Sequence, residues 1–134
     1  MAMTDHRLIA ALTVFLAIAA ATSVSGAAER LDPQSIKLPQ MTPELNVGKL
    51  NYDAKCAACH GLNTAGTDQG PTFLHRVYHP GHHGDRAFYL APKNGARAHH
   101  WRFGDMPPVA GITDSQIEKI IGYVRAVQAA NGLF

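Results

Sequence analysis

Cys56-Ala57-Ala58-Cys59-His60, CAACH, is the stretch on which the reading of this 134-residue chain turns. Its cysteines are the only two in the sequence. Three residues apart, they lie on one side of a helical turn, so both thiols can form thioether bonds to the vinyl groups of one porphyrin. The histidine that follows is then held against the same macrocycle, with its imidazole at the iron. Three other uses compete. A thioredoxin-like CxxC wants a strand-helix-strand context, which is absent around these residues. A zinc knuckle needs four ligands, usually from two cysteine pairs, and a second pair is missing. A plain disulfide would make His60 accidental. The motif therefore implies one haem c, covalent through Cys56 and Cys59, with His60 at the iron.

A helix leads into this motif. Thr42 can cap it, Pro43 suits the first helical position, and Glu44 suits the positive end. Leu45, Gly48, Tyr52 and Cys56 then recur along one face. The final helix carries more signals. Thr113 to Gln116 (TDSQ) forms a capping box, and Ile112 and Ile117 stand where a hydrophobic staple would. Ile117, Ile120, Ile121, Val124 and Val127 make an apolar stripe, and Asn131-Gly132 supplies the stop. Gly122 weakens the helix interior by about 1 kcal/mol relative to Ala, which makes sense where another helix comes close; Gly48 is the natural counterpart. A short helix of about two turns is expected at Gly84 to Leu90, capped by Asp85 and ended by Pro92 and Asn94-Gly95. Residues 61–84 and 96–111 have almost no periodicity, and no alternating strand pattern appears. Two such loops in a short domain count against an ordinary packed core, and a bound cofactor would give them something to pack on.

The N-terminal end reads as a leader. Arg7 precedes an uncharged run of fifteen residues, Leu8 to Thr22, and Ser25 and Ala27 occupy the positions of a small-x-small cleavage site. Residues 1–27 are thus a signal peptide, which implies a periplasmic location. The rival is a retained membrane anchor, because Leu8 to Ala28 is just long enough to span a bilayer. Residues 28–41 read as a polar lead-in, irregular and exposed, and 42–134 as the domain proper. Without Arg7 and Asp5, eleven Lys/Arg face nine Asp/Glu, a balance of +2 that argues against a nucleic-acid partner or an anionic membrane surface.

Further pieces fall in a fixed order around CAACHG: GxxxY at Gly48 and Tyr52, Gly70-Pro71, GDMPP at Gly104 to Pro108, and a final helix with Tyr123. With these, the chain resembles the small, exported, class I mono-haem c-type cytochromes of bacteria, over about Asn46 to Ala129. The resemblance implies an all-α cytochrome c fold: three to four helices wrapped around one covalently attached haem, with crossing N- and C-terminal helices and Gly48 against Gly122 and Tyr123. It implies that the carbonyl of Pro71 accepts a hydrogen bond from Nδ1–H of His60, which fixes the nitrogen that meets iron. It also implies that Met106, forty-six residues after His60, is the second axial ligand. A thioether is a weak ligand, and Pro107 and Pro108 would stiffen the loop that presents it. His99 and His100 are rivals for that position, because imidazole binds iron more strongly and would lower the potential. Beside them, Trp101 and Arg102 are either pocket wall and propionate donors or a core aromatic and a surface arginine.

The expected function is one-electron transfer with His/Met ligation in the cell envelope. The chain would be a carrier rather than an enzyme, alone or as a subunit or partner of an oxidoreductase, between a redox protein donor and acceptor. A membrane enters only if the leader is retained. The surplus histidines depart from the family's usual pattern. HRVYHPGHHGD holds His75, His79, His82 and His83, and His99 and His100 follow. They are either histidines bonded to backbone or propionates, or a second metal site for copper or zinc. The second reading would make the chain a haem/copper-binding sensor or metal-handling module.

Overall fold

Four α-helices supply the regular structure of residues 30–134, which are the residues that the computed structural model describes. They are α1 (Pro43–Lys55), α2 (Ala57–His60), α3 (Asp85–Asn94) and α4 (Asp114–Ala130), with 3₁₀ turns at Leu62–Thr64 and Arg76–Tyr78. The described residues contain no strand, only an isolated antiparallel bridge between Ala96 and Met106, so the fold is all-α. The leader signals of residues 1–27, and residues 28 and 29 of the lead-in, lie outside the described residues.

Local chemistry sets the helix ends. Thr42 Oγ1 accepts from the Leu45 N–H at 3.3 Å, and Pro43 opens α1. Cys56 leaves helical geometry with φ −124°, and its carbonyl accepts from the N–H groups of Cys59 and His60 at 3.1 and 2.9 Å. CAACH is therefore a separate helical turn, kinked off the end of α1. Thr113 and Gln116 make the reciprocal capping box of α4, and Asn131 ends that helix.

Helices α1 and α4 pack together along the core, and α3 packs on α4. Tyr52 and Tyr123 are both fully buried, with ring centroids 5.5 Å apart, and Ile36, Ala65, Phe73, Ile120, Val124 and Val127 complete the cluster. Burial of each such side chain stabilises by about 1.5–3 kcal/mol. The close approach of the two helices falls at Gly48. A Cβ there would run into the carbonyl oxygen of Lys119 and stand 2.9 Å from Tyr123 Cβ. Gly122, expected as the counterpart, is exposed and meets nothing within 4 Å. Residues 119 and 123 share one face of α4, one turn apart, and 122 is turned away from α1.

Two other expectations are corrected. Helix α3 is capped by Gly84, and Asp85 is its first residue, with a carboxylate that accepts from Arg125 Nε at 2.8 Å. Pro92 does not end α3, which continues to Asn94 and stops at Gly95 with φ +77°. In the last turn a proline costs one N–H, and the Pro92 carbonyl is satisfied from outside, by Val109 N–H at 2.8 Å. The lead-in is irregular but not merely exposed. Ile36 is buried in the core, and Asn131 clasps Lys37 through both its N–H and its carbonyl, at 3.0 and 2.8 Å. Among the described residues no helix is long and apolar enough to cross a membrane.

The two glycines make opposite predictions. Gly48→Ala should destabilise by about 1–3 kcal/mol through overpacking, whereas Gly122→Ala should stabilise by up to about 1 kcal/mol from helix propensity. Denaturant unfolding of both variants checks this, and similar effects would contradict the assigned contact.

Candidate functional site

His60 ends α2 and is buried, and everything around it fixes its ring. Its Nδ1 lies 3.0 Å from the carbonyl oxygen of Pro71, and the ring stacks on Phe73 with centroids 4.2 Å apart. Burial holds the imidazole pKa below its ordinary 6.5, outweighing the opposite pull of the Pro71 hydrogen bond. A neutral ring that donates from Nδ1 keeps the lone pair of Nε2 free for a metal.

The segment after α2 folds back to place that carbonyl. Tyr52 Oη donates to Gly61 O at 2.7 Å and lies 3.1 Å from His60 O. Gly66 N–H donates to His60 O at 2.7 Å, Thr67 Oγ1 to Cys59 O at 2.6 Å, and Thr72 Oγ1 to Thr64 O at 2.8 Å. Gly66 has φ +82°, and a Cβ on it would stand 2.6 Å from the Thr72 nitrogen, just past Pro71. Thr64 is fully buried at φ +70°, which is a strained conformation for a β-branched residue. The loop without periodicity is therefore held residue by residue against the CAACH turn.

Cys56, Cys59, His60 and Pro71 line a cavity of about 390 Å³, in the size range of cofactor sites. Much of the remaining wall is aliphatic and aromatic, with Ile117, Ile120 and Ile121 of α4, Phe88 of α3, and Trp101. Both thiols are free, so the plain-disulfide use does not hold here. Burial, helped by Cys59, pushes the Cys56 thiol up to about 11. It stays protonated at neutral pH, unlike the activated thiol of a redox CxxC.

Met106 lines the same cavity and is fixed by its backbone. Ala96 N–H donates to Met106 O at 3.0 Å, and Met106 N–H to Ala96 O at 2.9 Å. Across the loop that this bridge closes, Ala98 N–H donates to Asp105 Oδ1 at 2.8 Å. Pro108 presses on Gly95, where a Cβ would meet its Cδ at 3.2 Å and Met106 O at 2.7 Å. The prolines therefore act together with a backbone clasp. Trp101 stands in the cavity wall, stacked on Tyr78 at 5.5 Å, whereas Arg102 is exposed and outside the lining.

The six surplus histidines divide. His82, His83 and His100 converge, each offering a ring nitrogen within 4.8 Å of the others, and His99 stacks on His83 at 5.5 Å. His83, His99 and His100 line the cavity. His75 and His79 stay apart: each Nδ1 accepts a local N–H, from Val77 at 3.2 Å and from Gly81 at 3.0 Å. Burial, then neighbouring charges, lowers the pKa of His83 and His100.

The loop between α2 and α3 is anchored by residues that the sequence reading missed. Arg125 donates to Asp85 Oδ1, to Tyr78 O and Gln128 Oε1 at 2.7 Å each from Nη1, and to His83 O at 2.6 Å. Gln128, fully buried, donates in turn to Phe73 O at 2.7 Å. Its signal was available: Gln128 follows Val124 by four, a polar residue on the apolar stripe of α4.

The residues fit a covalently attached haem, with two free thiols and a neutral, oriented imidazole at an apolar cavity that also holds a thioether. The family model described as Cytochrome c matches residues 46–128. No curated protein and no solved structure matches the chain.

Tyr52→Phe keeps the core volume and removes only the hydroxyl that ties α1 to the His60-Gly61 turn. It should cost about 1–3 kcal/mol by leaving a buried carbonyl unpaired. Chemical denaturation measures this, and an unchanged midpoint would show that the bond is dispensable.

Proposed function

We propose, because the chain belongs to the cytochrome c family, that it carries single electrons through a haem c held by Cys56 and Cys59, with His60 and Met106 as axial ligands, in the bacterial cell envelope. When bound, the group supplies a reversible Fe(II)/Fe(III) couple. The observation that carries the reading is that CAACH and Met106, from separate segments, line one apolar cavity. The protein's part is to hold and to tune. Pro71 orients the His60 ring through Nδ1, and the Ala96 clasp sets the backbone of Met106. The aliphatic side chains of the wall lower the local polarity, which would favour the less charged, reduced state. Membership of the cytochrome c family fits an electron carrier. The envelope location is supported by the leader-like residues 1–27.

Met106→Ala tests the ligand set. The wild-type oxidised protein should show the weak red absorption band of methionine–Fe(III) ligation and should not bind carbon monoxide when reduced. The variant should lose the band, bind carbon monoxide and have a lower potential. Absence of the band in the wild type would transfer the assignment to His99 or His100.

Exchange partners would be redox proteins that meet the exposed edge of the cavity at Cys59. With a net charge of only +2, steering is weak, so electron-transfer rates should change little between low and physiological ionic strength. Stopped-flow rates across a salt series measure this; a steep dependence would point to a charged docking patch. The second reading, a metal-handling module, is favoured by one observation, the convergence of His82, His83 and His100.

A further inference from the structure

Two loops meet where the histidines converge. One, between α2 and α3, brings His82 and His83; the other, between α3 and α4, brings His100. Nε2 of His82 and Nε2 of His100 are 3.3 Å apart, and neither ring has another hydrogen-bond partner among the described residues. Two nitrogens bound to one tetrahedral ion at about 2.0–2.1 Å stand about 3.3–3.4 Å from each other. The pair is thus spaced as two ligands of one ion would be.

His83 is oriented in the way that metal-binding histidines usually are. Its Nδ1–H donates to Val77 O at 2.8 Å, which turns Nε2 and its lone pair outward. The backbone is held as well. The N–H groups of His82 and His83 both donate to His79 O, at 2.8 and 3.0 Å, and Arg125 holds His83 O at 2.6 Å. On the other loop, the bridge between Ala96 and Met106 closes the segment that carries His100. No carboxylate forms an ion pair with any of these rings among the described residues, so the donor set is imidazole alone. Such a set suits copper and zinc rather than the oxygen-seeking calcium or magnesium, and for divalent ions it binds copper more tightly than zinc.

We propose that His82, His83 and His100 form a mononuclear site for a divalent transition-metal ion of the copper(II)/zinc(II) class at the rim of the cavity. His83 and His100 belong to the cavity wall and His82 stands outside it, so the ion bridges the two loops that flank the opening. Rotation of the exposed His82 and His100 side chains closes the remaining distance to His83. Solvent takes the open coordination position. The site deepens the metal-handling reading and rests on Met106, not His100, being the second ligand of the haem, which the red band of the wild type reports separately from metal binding.

Calorimetric titration of the haem-loaded protein with copper(II), and separately with zinc(II), tests it. One equivalent should bind per chain. His82→Ala and His100→Ala should each weaken the dissociation constant by about tenfold or more, and His79→Ala, on the same loop but outside the cluster, should bind as the wild type does. The electron paramagnetic resonance spectrum of the copper form should show nitrogen hyperfine splitting. Because His82 does not line the cavity, its variant should keep the visible haem spectrum, which separates metal loss from damage to the pocket. Wild-type binding no tighter than that of His82→Ala, or equal loss in His79→Ala, overturns the site.

Discussion

The hydrogen bond between His60 Nδ1 and the Pro71 carbonyl is where the core and the cavity meet. On one side it depends on α1, because Tyr52 bonds the carbonyl of the adjacent Gly61 and is itself packed against Tyr123 of α4. On the other it depends on the return loop, whose Phe73 lies on the His60 ring and whose Phe73 carbonyl is held by the buried Gln128. A small domain has little surplus stability. Here the same contacts close the hydrophobic cluster and fix the tautomer of the imidazole, so folding and ligand orientation cannot be separated.

The caps of α1 and α4 and the cofactor motif were legible in the sequence because both are local. Thr42, Pro43, Thr113, Gln116 and Asn131 act within one turn of themselves, and CAACH needs only its own spacing. The Pro71 contact came through the resemblance rather than from periodicity. What could not be read from the residues alone depends on non-local encounters. The lead-in is buried at Ile36 because Asn131, ninety-four positions away, pins Lys37. Gly48 was identified, but its partner was placed at Gly122 because sequence says that helices approach and not at which turn. Pro92 was read as a terminator because its lost N–H was counted and its carbonyl's distant partner, Val109, was not visible.

The histidines show the same limit at the site. Their spacing gave six equal candidates, and only three converge. Arg125 has much to do with the selection, because it gathers Tyr78, His83 and Asp85 with one guanidinium. Nothing in its sequence neighbourhood separates it from a solvated helix arginine, and its planar fork is what allows three directions of donation. Arg102, beside the paired histidines, was the more conspicuous arginine and lies on the surface.

The bridge between Ala96 and Met106 consists of two hydrogen bonds around a loop in which Arg97 to His100 are all exposed. Such a segment can open by itself, without the transition that unfolds the buried helices. His60 has no comparable freedom, because freeing its ring means taking apart Phe73, Pro71 and the α1–α4 interface behind them. The two faces of the cavity therefore belong to different cooperative units. One shares the global stability of the domain, and the other has its own, lower opening free energy. Amide hydrogen exchange would divide at that boundary, and the Met106 face would open at the rate of a local fluctuation.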